Sequence, residues 1–456
     1  MAGIGFELRK LMARDTLTGV ARAYLYAGLI SSGPMILSCF GILIIGTLSF
    51  AVVIPTVLIT QFQVSVTYMI AFSLIVTGPL QLSFTRFVSD RLYEHRDDLV
   101  LPNYRAIQLV CSAVSGTIGI LAMSFGFDAT PLAYRLLMIA GFVIASNIWI
   151  AVIFLSSIKQ YRQVLWSFAI GYSAVVGLAL GLNHYGLTGL LGGFVAGHAL
   201  LFLCLSTIVH RQYPGTRYIS FEVFDRRLLY PSLAWVGLMF NLGVWIDKFV
   251  FWFSDVTGTR VVGWFHASVI YDIPVFLAYV CVMPAMAAFL VRIEADFAGY
   301  YDAFYDAVRT GATLQRINAM RDMMVRSVRT GLAEIVKVQI VVVLLMLAFG
   351  ALLLGALHIS SLYLPLLLVD VIAASLQVLL LGLFNVMFYL DTRRDVLRLA
   401  TLFIVLNAIL TMVSIRLGPA AYGYGFAAAL LIATILAIRA LDARFAILEY
   451  ETYMLQ

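Results

Sequence analysis

Charge is what this sequence has least of. Of 456 residues, 12% are Asp, Glu, Lys or Arg and 62% are hydrophobic. A soluble domain carries about 25% charged residues, and the mean hydropathy here is +0.98. These values exclude an ordinary soluble globular chain. Cysteine is also scarce. Cys39, Cys111, Cys204 and Cys281 all lie in or beside apolar runs, with no CxxC and no Cys/His cluster. Neither a disulfide framework nor a metal site is indicated. The motifs of common enzymes are missing: no GxxxxGK[ST] phosphate loop, no HExxH, no GxSxG, and no DxD pair in a loop. No ATP-hydrolysing site is recognisable, no catalytic residue can be nominated and no cofactor is called for. The net charge of +6 is spread between the apolar runs and is not a nucleic-acid signal. The first apolar run exceeds the 7–15 residues of a signal-peptide core, and many more runs follow, so no cleavable leader is expected.

What is present is a series of apolar runs, each close to the roughly 20 residues that cross a bilayer as a helix. The expected spans are 23–53, 64–88, 104–125, 132–158, 163–182, 187–209, 231–254, 264–292, 334–357, 362–390, 396–416 and 420–440. The fold class is thus an all-α polytopic membrane protein of about twelve transmembrane helices. Lys and Arg fall overwhelmingly on one side of these spans. The other side holds only Arg135, Arg260 and Arg416. By the positive-inside rule both termini are cytoplasmic. A dozen spans divide near Pro214 into bundles at 23–210 and 229–440, joined by a cytoplasmic linker at 211–228. A tail at 441–456 follows.

Two polar stretches read as amphipathic helices on the membrane surface. Residues 1–22 place Ile4, Leu8, Leu11 and Met12 at helical spacing among charges. Residues 293–333 carry one apolar face through Phe297, Tyr300, Tyr301, Phe304 and Tyr305. A second face runs through Leu314, Ile317, Met324, Val325 and Val328. Tyr300, Tyr301, Phe304 and Tyr305 are candidates for docking a cytosolic partner, and a plain interfacial helix is the equal alternative. The ends of the second and eighth spans repeat one feature. Arg86 precedes Asp90 and Arg292 precedes Asp296, a spacing that pairs on one helix face.

The stretch 230–294 holds the most unusual residues. Asp247, Lys248 and Asp272 are ionisable groups inside apolar runs, where each costs roughly 2.5–3.5 kcal/mol on insertion scales and tends to be functional. Counted from the turn at 255–262, Lys248 lies about 9 Å deep and Asp272 about 12 Å, by the helical rise. The two are expected to face each other at similar depth. Asp247 and Lys248 are neighbours in sequence, roughly 100° apart around a helix, and are not expected to pair. A transport pathway is assigned to Asp247, Lys248, Asp272, Asn241, Trp235, Trp245 and Tyr271. Trp235, Trp245 and Tyr271 are the candidates for stacking on sugar rings. A static buried pair and lipid-facing aromatics are the plainer readings. Pro34, Pro79, Pro274 and Pro284 interrupt helices and are hinge candidates, with fixed kinks as the alternative. Asn147, His198, His266, Asp370, Gln377, Asn385 and Asn407 complete the polar set, and interhelical hydrogen bonding accounts for the amides.

The opening Met1-Ala2-Gly3-Ile4-Gly5-Phe6-Glu7-Leu8-Arg9-Lys10 resembles the start of the Pel exopolysaccharide transporter family. So do Tyr26-Ala27-Gly28-Leu29-Ile30-Ser31-Ser32-Gly33-Pro34 and Thr77-Gly78-Pro79. The resemblance extends over the whole length and twelve-span plan. It implies a member of the multidrug/oligosaccharidyl-lipid/polysaccharide flippase superfamily, with two six-helix bundles facing a central cavity. It also implies export of a growing amino-sugar polymer for biofilm matrix across a bacterial inner membrane. The partners it implies are a cytosolic glycosyltransferase and membrane scaffold subunits. It carries no catalytic residue onto these positions. Three other functions fit the same sequence: an ion-coupled exporter of drugs or lipophilic cations, a non-transporting scaffold for a glycosyltransferase, and a membrane-embedded glycan polymerase.

Overall fold

The computed structural model describes residues 28, 56–158, 160–213, 215, 217–225, 228 and 230–454. The expected surface helix at 1–22, the first span and the hinge candidate Pro34 lie outside these residues. Helices α1 to α5 are Thr56–Tyr93, Val100–Ser124, Leu132–Ser157, Tyr161–Gly181 and Gly186–Gln212. Next come α6, Pro231–Trp252, and a hairpin of β1, Thr259–Val262, and β2, Phe265–Ala267. Then follow α7, Val269–Val280, α8, Met283–Phe289, a π-helical stretch Leu290–Phe297, and α9, Ala298–Arg309. The last four are α10, Leu314–Ala356, α11, Leu364–Tyr389, α12, Arg393–Leu417, and α13, Tyr424–Met454.

Among the described residues, ten helices are long and apolar enough to cross a membrane. Val269–Val280 with Met283–Arg309 makes an eleventh if that bent pair is one span. With no water in the bilayer core, helices are the way these runs satisfy their own backbone. The described residues fall into two compact units. One takes in 56–245 and Phe251–Ser268; the other takes in Gly28, Ile246–Val250 and 269–454.

Three elements differ from expectation. The apolar run at 264–292 does not begin as a helix. Gly263 sits at φ +56 and opens a two-residue turn, and Val262 pairs with Phe265 across it. A Cβ at Gly263 would come within 2.3 Å of the Phe127 ring, so glycine is required there on two counts. The hairpin is fixed to α1 through Tyr68. Its hydroxyl donates to His266 O at 3.0 Å and accepts from His266 N at 3.1 Å. The Tyr68 ring stacks on Phe265 and Trp252, with centroids 4.1 and 4.7 Å away.

The second difference is the break after Val280. Pro284 lies in the first turn of α8, where its missing N–H costs nothing. The chain bends by 42° between α7 and the helix that follows. The third is α10. The amphipathic face from Leu314 and the span from Glu334 are one helix of 43 residues, about 65 Å long and twice the thickness of a bilayer core. Thr313 caps its start, accepting from the Arg316 N–H at 3.4 Å, and no proline interrupts it. Charges at one end and an unbroken apolar run at the other therefore share one rod.

In the first unit, α1 and α6 cross with almost no space between them. A Cβ at Gly237 would lie 2.1 Å from Gly78 O, and one at Gly78 would lie 2.6 Å from Gly237 O. The crossing falls at the Gly78–Pro79 turn of α1. There Asn241 donates to Leu74 O at 3.2 Å, a neighbouring side chain serving the backbone of a proline turn. The two repeated Arg–Asp pairs both form: Arg86 with Asp90 at 3.1 Å and Arg292 with Asp296 at 2.8 Å. Each also holds a second element of its own unit. Arg86 lies over the Tyr230 ring at 5.5 Å, and Arg292 binds Glu334 of α10 at 2.5 Å.

Candidate functional site

The ionisable residues of α6 belong to a polar cluster in the second unit. Asp247 is fully buried and Lys248 is 5% exposed. The expectation that they do not pair is overturned. Lys248 Nζ donates to Asp247 Oδ2 at 3.0 Å and Oδ1 at 3.2 Å. The angle of 100° separates their Cβ atoms, but the four-carbon stem of lysine is flexible and can return its ammonium to the preceding carboxylate. Burial makes that return necessary, because an unpaired charge there would be far costlier than a bent side chain.

Other elements complete the surroundings. From α7, the Tyr271 hydroxyl donates to Asp247 Oδ2 at 2.6 Å. From α12, Asn407 Nδ2 donates to Asp247 Oδ1 at 3.4 Å, and Thr411 in turn donates to Asn407 Oδ1 at 3.1 Å. Asp247 thus accepts from three groups, which take the place of the water its carboxylate would otherwise bind. The ammonium also lies over two rings, Phe426 of α13 at 4.9 Å and Tyr279 of α7 at 5.3 Å. These are cation–π distances. Tyr279 donates to Gln377 of α11 at 2.8 Å. Five helices therefore converge on one buried ion pair.

Each of the other pathway candidates has its own setting within its unit. Asp272 lies in the first turn of α7 and is half-buried. Tyr271 is fully buried, so its ring is not available for stacking on a cargo in this conformation; its work is to hold Asp247. Trp235 is 54% exposed. Trp245 is half-buried and packs against Trp252 at 6.3 Å. Asn241 serves the α1 backbone, as above. Of the docking candidates, Tyr300 is exposed, whereas Phe304 is fully buried. Tyr301 packs on Tyr305 and Tyr389, at 4.6 and 5.2 Å. Pro79 lies inside the unbroken α1, and Pro274 inside α7.

Two further buried polar residues of this unit belong to the polar set of the sequence but not to its assigned pathway. Asp370 of α11 is 1% exposed, and Asn407 is fully buried. Their signal was available: one acid in the run Leu364-Pro365-Leu366-Leu367-Leu368-Val369-Asp370-Val371-Ile372, and one amide in Phe403-Ile404-Val405-Leu406-Asn407. Among the described residues, no group of three or more His, Cys, Asp or Glu is arranged to hold a metal ion. In the first unit, a cavity of about 90 Å³ is lined by Tyr68, Phe72, Met123, Met138, Trp264 and Phe265 among others. It is almost wholly apolar and far below the roughly 300–1,000 Å³ of ligand sites.

With this geometry in hand, the chain can be compared with known proteins. Residues 1–453 match the family described as "PelG: Putative exopolysaccharide Exporter (EPS-E)". No curated protein matches. A multidrug resistance MATE family transporter of the MOP superfamily, solved outward-facing, superposes with a TM-score of 0.69 at 11% identity, covering 94% of this chain and 96% of that one. A MOP superfamily transporter from Pyrococcus furiosus gives 0.63 at 12% identity, covering 93% and 96%. The Vibrio cholerae MATE transporter VcmN in its bent form gives 0.64 at 9% identity, covering 96% and 98%. At these identities the likeness establishes the fold: a MATE-like transporter fold of about twelve helices in a multi-pass membrane protein.

Proposed function

The chain belongs to the PelG exopolysaccharide-exporter family, and from that premise we propose that it carries a growing amino-sugar polymer from cytoplasm to periplasm across a bacterial inner membrane, for biofilm matrix. The observation that carries this reading is the family match over residues 1–453, on a chain with a transporter fold. The chemistry is compatible. An acetylated amino-sugar chain is neutral, and a path for it needs aromatic faces and amides rather than a ring of charges. Trp235 offers such a face. The buried ion pair of Asp247 and Lys248 is internally neutralised, so it adds no net charge that a neutral polymer would have to pass. Asp247, Lys248, Asp272, Asn241 and Trp245 are assigned to the same pathway, and Pro79, Pro274 and Pro284 to the bends that change as it opens. The protein acts as a transporter and performs no chemistry on the polymer.

A cytosolic glycosyltransferase supplies the chain in this account, and membrane scaffold subunits hold the two together. Tyr300 and the charged end of α10 form the docking surface. Growth of the polymer supplies the push, so no ion gradient is consumed.

The test is to delete the gene in a strain that secretes the polymer and restore it alone. Polymer outside the cell should disappear and return, while the glycosyltransferase remains active in extracts. Drug resistance conferred by the chain expressed by itself, with unchanged secretion, would instead indicate a small-molecule exporter. Loss of export within minutes of collapsing the proton gradient, with synthesis continuing, would contradict the growth-driven account.

A further inference from the structure

Helix α11 carries a row of side chains at four-residue spacing. Gln377, Leu381, Asn385 and Tyr389 share one helix face, and all four are half-buried. The row runs about 18 Å by the helical rise, from the middle of α11 to its C-terminal end. Each polar or aromatic member meets a different element of the same unit. Gln377 Oε1 accepts from the Tyr279 hydroxyl of α7 at 2.8 Å. Asn385 Nδ2 donates to Glu294 Oε1 of the π-helical stretch at 3.0 Å. The Tyr389 ring lies 5.2 Å from Tyr301 of α9, and Tyr301 lies 4.6 Å from Tyr305.

The row is turned away from the lipid-exposed side of its helix. The exposed large apolar residue of α11 is Ile372. At about 100° per residue, Leu381 lies on the opposite side from it, with Gln377 and Asn385 about 40° to either hand. Partly exposed polar groups at membrane depth face the interior or a water-filled path. Asn385 Oδ1 is covered and has no hydrogen-bond partner, so it is an acceptor that an arriving donor would satisfy. Its partner Glu294 comes from π-helical backbone, a rare form found mostly at functional positions.

We propose that this row is a binding track for a chain of N-acetylated amino sugars, an inference that rests on the export reading above. The Tyr301, Tyr305 and Tyr389 rings stack on pyranose faces. Gln377 Oε1 uses one lone pair on Tyr279 and offers the second to a sugar hydroxyl. Asn385 Oδ1 accepts from an acetamido N–H, and Glu294 holds that amide in place.

The experiment uses the purified full-length chain in detergent. The probes are the tetramers of N-acetylglucosamine and N-acetylgalactosamine, with cellotetraose, which has no acetamido group, as the control. Binding is read by saturation-transfer NMR, which detects weak complexes. The parent should saturate the acetyl and ring protons of an acetylated tetramer and bind cellotetraose more weakly. Asn385→Leu and Gln377→Leu should each raise the apparent Kd at least about tenfold. Ile372→Ala, on the opposite side of the helix, should leave it unchanged. Tyr305→Leu, read through the ring protons, carries the test should neither amide variant fold. No saturation of either acetylated tetramer by the parent overturns the proposal, and so does equal binding by the parent and all three row variants. Secretion that stops on deleting the gene, with row variants that bind and secrete normally, overturns the track and leaves the export reading standing. Tetramer binding that depends on the row, in a chain whose deletion leaves secretion unchanged, upholds the track and removes the export reading.

Discussion

Lys248 and Asp247 are adjacent in sequence and still form the tightest buried ion pair described in the second unit, at 3.0 Å. Breaking such a pair on one side strands a charge in the interior, at a cost of about 3–5 kcal/mol, whereas removing both charges together is close to neutral. Asp247→Asn combined with Lys248→Met should therefore melt closer to the parent protein than Lys248→Met alone does. Calorimetry of the detergent-solubilised variants checks this. A double variant no more stable than the worse single would mean that the pair is not the unit.

Tyr271→Phe removes one hydroxyl and leaves the ring. That hydroxyl is 2.6 Å from Asp247 Oδ2, and hydrogen bonds to charged groups contribute about 1.5–3 kcal/mol. We expect a loss of that size in stability. The loss should vanish in an Asp247→Asn/Lys248→Met background, because the charge it served is gone.

Arg292 offers the contrasting case. It bridges Asp296 and Glu334 at 2.8 and 2.5 Å, but its side chain is 32% exposed. Exposed pairs contribute about 0–1 kcal/mol and are screened by salt. Arg292→Gln should accordingly lower stability by less than about 1 kcal/mol, and the difference should shrink further at high ionic strength. An effect as large as that of Lys248→Met would show that this end of α8–α10 is closed to solvent in the working protein.

Gly237→Ala tests the α1–α6 crossing. A methyl 2.1 Å from Gly78 O cannot be accommodated without separating the helices, and overpacking of this kind costs about 1–3 kcal/mol or more. Reduced protein in the membrane is expected. Gly177→Ala, where a Cβ meets nothing within 4 Å, should leave the amount unchanged.

Tyr68→Phe releases the hairpin. Its hydroxyl both donates to and accepts from His266, so the amide at His266 should exchange with solvent faster in the variant by hydrogen-exchange mass spectrometry. Unchanged exchange would mean that stacking on Phe265 alone keeps the hairpin in place.

Much of this was legible in the sequence. The spans follow from apolar runs that have no other way to satisfy their backbone, and Arg86–Asp90 and Arg292–Asp296 follow from helical spacing. The parts that were not legible have physical reasons. Helical angle describes where Lys248 starts and says nothing of where a flexible stem ends. Trp264, Phe265 and Ala267 are as apolar as the helix after them, and Gly263 at positive φ decides the strand only once Phe127 is packed against it. The joining of Leu314 to Ala356 depends on the absence of a breaker, which hydropathy does not register. Asp370 was visible as a lone acid, but its near-complete burial depends on how α11 packs.

The most direct measurement of the account is polymer outside the cell per copy of protein in the membrane, comparing the parent with Asp247→Asn/Lys248→Met. The double variant keeps the neutrality of the pair and removes the charges, so its amount in the membrane should be near normal. The account predicts that export falls at least about tenfold, the change that 1.4 kcal/mol in a limiting step produces. Normal export at normal protein level would contradict it and reduce the buried pair to a fastener between helices.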